Sequence, residues 1–201
     1  MAHNFVSPLC GQAFMKCAYF TFQPYLDIDL RGQACASLAL LEGVSSLIDV
    51  DLYYLDTQGN SYINQELLRR RLASVKNITV ISGGNERKRL RKLRFALSGL
   101  PISLADISNK EILEVVRKVH NDKYDVIHYD LMTWMYLHPK KQIPTVVSGT
   151  DAYSFAYFKK ARHETNKLYS IRDWVSGLVF LNFESRYLPK ADIVHMLSNS
   201  D

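Results

Sequence analysis

Cysteine is scarce in this 201-residue chain: Cys10, Cys17 and Cys35 are its only three, all in the first fifth and without C-x-x-C spacing. An odd number so placed indicates neither a disulfide framework nor a structural zinc site, and it fits a reducing cytosol. Long apolar runs are missing as well. The longest, Trp174 to Phe183, is interrupted by Ser176, Gly177 and Asn182 and is much shorter than the roughly 20 residues a spanning helix needs. Residues 1–14 contain no Lys or Arg and no sustained apolar stretch, which argues against a secretory signal. They read as a loose extension, with the folded unit, 15–201, starting at Met15-Lys16. Glycine is sparse where a dinucleotide site would need it: Gly32 stands alone after the first strand, so the G-x-G-x-x-G fingerprint of a dinucleotide-dependent oxidoreductase is lacking. There is no internal repeat and no low-complexity segment.

What is present is the composition of a folded domain with one core, 47% apolar and 22% charged. The net charge of +5 suits an anionic ligand, an acidic membrane surface or nucleic acid, and selects none of them.

The pattern alternates strand and helix. Cys17 to Phe22 is a compact apolar run of the kind expected for a buried parallel strand. Ala34, Leu38 and Leu41 then recur at helical spacing, with Gly32 opening the helix and Gly43 stopping it. Val50 to Leu55 and Ile78 to Ser82 read as strands around a helix from Gln65 to Ser74. Ser108-Asn-Lys-Glu111 matches a capping box opening the helix that carries Ile112, Val116 and Val119. Asp125 to His128 and the run ending at Asp151 are two more strands joined by a helical Leu131 to Leu137. Ala152 to Tyr187 is helical, with a break expected near Gly177, and Ile193 to Leu197 is a last strand. The order predicts an α/β fold, a Rossmann-like parallel sheet with helices on both faces.

In such sheets ligands sit outside the carboxyl ends of the strands, where His128, Asp130 and Asp151 fall. His128 reads as a general base, a hydroxyl ligand or a satisfied core histidine. Asp151 reads as a helix N-cap or as a carboxylate facing a cleft. The His128 and Asp130 pair offers too few ligands for a metal. Arg31 and Gly32, at a helix N-terminus above the first strand, are placed for an anion or a sugar hydroxyl, or Gly32 is simply a helix start. Tyr153, Tyr157 and Phe158 favour packing over a sugar-stacking platform.

Asn85 to Ser98 has the most unusual composition. Arg87, Lys88, Arg89, Arg91, Lys92 and Arg94 surround Leu90, Leu93 and Leu97. Three readings fit: an outer helix whose leucines join the core, a surface for anionic lipid, or a phosphate site. Nucleic acid is the least favoured partner, because no aromatic stacking pattern accompanies the charges.

Taken in order, these features resemble the N-terminal, acceptor-side domain of GT-B glycosyltransferases of the retaining family-4 type. The resemblance runs from Met15 to Asp201. It rests on Met15-Lys16 to Phe22, Arg31-Gly32, Glu42-Gly43-Val44, Tyr124 to His128, Thr150-Asp151-Ala-Tyr-Ser154 and Ala191-Asp-Ile-Val-His-Met-Leu-Ser198 with Asp201. It implies one half of a two-domain enzyme of polysaccharide biosynthesis at the inner face of the membrane. A nucleotide sugar would be the donor substrate, a saccharide or lipid-linked sugar the acceptor, and no metal or other cofactor would be required. By position, Arg31 and Gly32 would border the donor phosphates, and Asp151 and His128 would face the transferred sugar or the acceptor. The donor domain is not in this sequence, so the chain alone is expected to be inactive. The competing reading is a non-catalytic α/β module that binds phosphate or nucleic acid.

Overall fold

The computed structural model describes residues 15–22, 33–56, 65–82, 88–139, 143–149 and 152–196. In chain order the elements are β1 (Lys16–Thr21), α1 (Gln33–Ser45), β2 (Asp49–Asp56), α2 (Gln65–Arg71), β3 (Asn77–Ser82), α3 (Lys88–Leu97), α4 (Leu104–Ile107) and α5 (Lys110–Asn121). Then come β4 (Val126–Asp130), a 3₁₀ turn (Met132–Tyr136), β5 (Thr145–Gly149), α6 (Tyr153–His163), α7 (Lys167–Tyr187), a second 3₁₀ turn (Leu188–Lys190) and β6 (Ile193–Met196).

The six strands form one all-parallel sheet in the order β3-β2-β1-β4-β5-β6. This is the doubly wound, Rossmann-like arrangement expected from the strand-helix alternation. The chain winds outward from β1 to β3, returns across the sheet through α3–α5, and winds outward again from β4 to β6. The order therefore reverses between β1 and β4.

Side chains alternate across the sheet. Cys17, Tyr19, Val50, Leu52 and Tyr54 pack with Leu38 and Leu41 of α1 and Leu68 of α2. Ala18, Phe20, Ile127, Tyr129 and Val147 form the opposite core with Ile112, Val116 and Val119 of α5, Phe95 of α3, Trp134 and Phe183. Both faces of β1 are buried, which is why it reads as an unbroken apolar run rather than an alternating one.

Three local expectations are corrected. Gly43 does not stop α1, which continues to Ser45. A lone glycine costs a helix only about 1 kcal/mol, and the hydroxyls of Ser45 and Ser46 donate to the carbonyls of Glu42 and Gly43 at 3.2 and 2.7 Å. The cap of α5 is Asn109, whose Oδ1 accepts from the Ile112 N–H at 2.7 Å. Ser108 is already engaged as the C-cap of α4, its N–H bonded to Leu104 O. The long helical region breaks at residues 164–166, where Asn166 caps α7, and not at Gly177. That glycine is buried in mid-helix, and the Phe158 ring fills the space beside it, 2.5 Å from where a Cβ would lie. α6 and α7 thus fold back on each other, and Tyr153 and Tyr157 pack on Phe180, as the packing reading expected.

Candidate functional site

The crevice of a doubly wound sheet opens where the strand order reverses, and here that point lies between the carboxyl ends of β1 and β4. Two rows of side chains climb toward it on the α1 side of the sheet. In the lower row the His128 ring stacks on Tyr19, its partner across the β1–β4 ladder, with centroids 4.4 Å apart. In the upper row, Oδ2 of Asp130 accepts from Thr21 Oγ1 at 2.7 Å and from Ser37 Oγ at 2.5 Å. One buried carboxylate oxygen therefore ties the ends of β1 and β4 to helix α1. Hydrogen bonds to a charged acceptor are about twice as strong as neutral ones, so the tie fixes how α1 sits beside the crevice.

The backbone is strained at the same place. Leu131, which follows Asp130, has φ 140° and ψ 138°. A non-glycine residue so far from the allowed regions costs on the order of 1–3 kcal/mol. Asp130 belongs to the α1 side, held by Thr21 and Ser37, and the Leu131 side chain packs in the core on the other side, where the strand gives way to the 3₁₀ turn.

His128 is only 6% exposed. Burial, with a smaller contribution from His195 on β6, lowers its pKa to about 4, so the ring is neutral at physiological pH. Its buried Nε2 has no hydrogen-bond partner among the described residues. The core-histidine reading therefore holds for its burial but not for its hydrogen bonding. On the β5 side, the N-terminus of α6 is capped from a distance. Glu184 of α7 accepts from the Ser154 N–H at 3.1 Å and from the Ser154 hydroxyl, and Ala152 occupies the N-cap position without a side-chain bond. The nearby Tyr153 phenol is pushed up to about 12, first by burial and then by the charges of Asp130 and Glu184.

Of the residues singled out from sequence, His128 and Asp130 are brought together beside the switch point. Arg31, Gly32, Asp151 and Arg87 lie outside the described residues. Lys88, Arg91, Lys92 and Arg94 lie on α3, in the layer on the opposite face of the sheet from α1. There α3 reverses the arrangement expected of an outer helix. Lys88 pairs with Asp106 at 2.9 Å and Arg91 Nε donates to Ala105 O at 3.1 Å. Phe95 is the helix's one buried apolar side chain, while Leu90, Leu93 and Leu97 are exposed. The leucines do not join the core. Sequence reasoning missed Thr21, Ser37, Tyr19, Leu131 and Glu184. Only Thr21 carried a signal, a hydroxyl at the end of an otherwise apolar strand.

Among the described residues, no group of three or more His, Cys, Asp or Glu could hold a metal ion, and no helix is long and apolar enough to cross a membrane. Compared with known proteins, the chain matches no family model and no curated sequence.

Proposed function

We propose that this chain is the acceptor-side half of a sugar-transferring enzyme. The acceptor hydroxyl is positioned at the β1–β4 switch point, and the nucleotide-sugar donor is held mainly by a second Rossmann-like domain. The observation that carries this reading is the Asp130–Thr21–Ser37 tie beside the strained Leu131, at the reversal of the strand order. Strain of this kind persists where surrounding structure over-determines it, commonly at ligand sites.

In this reading the acceptor oxygen attacks the anomeric carbon while the bond from that carbon to the diphosphate breaks. The hydroxyl proton passes to the departing phosphate. The protein's contribution is positioning and electrostatic stabilisation. Asp151, Arg31 and Gly32 take the contact roles assigned from sequence. Asp130 fixes α1, whose N-terminal N–H groups favour a diphosphate. His128, one row below the rim, serves as a neutral positioning residue. The exposed leucines and cations of α3 provide a bilayer-facing side, suited to an enzyme whose acceptor is lipid-linked. A module that binds phosphate or nucleic acid, the competing reading, has no use for exposed leucines among its cations.

The test is a nuclear magnetic resonance titration of the purified chain with mono- and disaccharide acceptors and with nucleotide sugars. Acceptors are expected to shift the His128 ring resonances, and Asp130→Asn to weaken that binding by roughly tenfold or more, the equivalent of about 1.4 kcal/mol. Circular dichroism checks that the variant is folded. A folded wild-type chain that responds to no saccharide overturns the sugar reading, and sugar transfer by the chain alone overturns its assignment as a half.

A further inference from the structure

The α6–α7 hairpin is attached to the rest of the molecule near one end. Its root is Tyr153 and Ser154 at the start of α6, and residues 182–188 at the end of α7. Phe183 enters the core, Tyr153, Tyr187 and Leu188 pack against it, and Asn182 Nδ2 donates to Gly99 O at 2.9 Å, just past the end of α3. Beyond the root the two helices hold mainly each other. Tyr157 stacks on Phe180, Phe158 fills the gap left by Gly177, and Ser170 Oγ donates to Ala161 O at 2.8 Å. The turn at residues 164–166 lies about 16 Å from the start of α6, at 1.5 Å per residue over its 11 residues.

The faces of α7 are inverted. The side toward α6 buries Asp173, Gly177 and Glu184. The other side exposes Ile171, Trp174, Val175, Leu178 and Leu181, and Leu168 near its start is exposed as well. Such spacing along one helix makes a continuous apolar stripe, and exposed apolar patches of this kind mark interaction surfaces.

Charge identifies the occupant. The hairpin's carboxylates are turned to internal contacts: Asp173 takes Lys160 at 3.1 Å and Arg172 at 2.9 Å, Glu184 caps α6, and Glu164 accepts from the Asn166 N–H. Lys159, Arg162, Lys167 and Arg186 remain exposed, as do Arg89 and Arg94 on α3. A second copy would bring like charges together. An anionic bilayer surface satisfies both the stripe and its cationic borders.

We infer that the α6–α7 hairpin is a monotopic membrane anchor, laying Ile171, Trp174, Val175, Leu178 and Leu181 into the interface of an anionic bilayer, with α3 beside it. The inference deepens the bilayer-facing assignment of α3, and it requires no sugar chemistry. Hairpin docking can succeed where saccharide binding fails, and the reverse.

Trp174 is a built-in probe, since the chain's other tryptophan, Trp134, is already fully buried. Vesicles of phosphatidylcholine, with and without phosphatidylglycerol, are titrated while tryptophan emission and co-sedimentation are followed. Expected are a blue shift and sedimentation with the anionic vesicles. Both should weaken by roughly tenfold or more in Ile171→Glu/Val175→Glu/Leu178→Glu, which withdraws three apolar side chains from the lipid and adds three negative charges. Because those side chains are exposed, the variant should keep the wild-type thermal melt. The inference is overturned if anionic vesicles do not bind, or if zwitterionic vesicles bind equally. It is overturned also if the triple variant binds as well as wild type while Leu90→Glu/Leu93→Glu does not, which leaves α3 as the sole contact. A lipid-free blue shift that grows with protein concentration, with dimers in sedimentation velocity, would name a second copy as the occupant.

Discussion

Helices α5 and α7 both join the layer that faces away from α1, and both carry apolar side chains at helical spacing, yet they turn them in opposite directions. α5 places Ile112, Val116 and Val119 against the sheet, each essentially without solvent contact, and leaves its charges outside. α7 sends Phe183 into the same core but shows most of its apolar length to the outside. The difference lies in what each helix packs against. A sheet face is broad and apolar, and a helix buried on it must match. The partner of α7 is one short helix, which reaches it through a glycine, an aromatic ring and an ion-paired aspartate. One 11-residue helix cannot cover both sides of a 21-residue one, so the remaining apolar surface of α7 is left for another environment.

The comparison can be broken from its strong side. Ile112→Ala removes a side chain with no exposed surface and should cost about 2–5 kcal/mol, read as a lower urea midpoint with an unchanged slope. A much smaller loss would mean that α5 is not held as described. A middle case is Gly177→Ala. Its new Cβ would meet the Phe158 ring at 2.5 Å, and overpacking of this kind costs about 1–3 kcal/mol. Because the hairpin contacts mainly itself, the change should appear as faster amide exchange in α6 and α7, with the core strands unaffected. The smallest effect is expected from Leu178→Ser, which alters the exposed stripe and should leave stability within about 0.5 kcal/mol. Marked destabilisation by that change would show that the stripe is already covered within the protein.

Much of the fold was legible in the sequence because its signals are local. Buried parallel strands are continuous apolar runs, so Cys17 to Phe22 and Val50 to Leu55 mark themselves, and the alternation with helices leaves few topologies. One misplaced boundary was a contest between neighbours: Ser108 and Asn109 are both competent caps, and which one is used depends on where α4 ends. The candidate site was legible only at its tip. Asp130 announces a polar strand end, but its partners Thr21 and Ser37 stand 109 and 93 residues away, and no local pattern predicts such a meeting.

The sequence by itself determined the α/β class, the number and order of most elements, and the fact that the 88–97 helix has two unlike faces. Only the tertiary structure decided which face points inward. Periodicity specifies a helix's sides relative to each other, whereas burial depends on what the rest of the chain sets against them. For α3 and α7 one aromatic each, Phe95 and Phe183, enters the core, and the leucines are left facing outward.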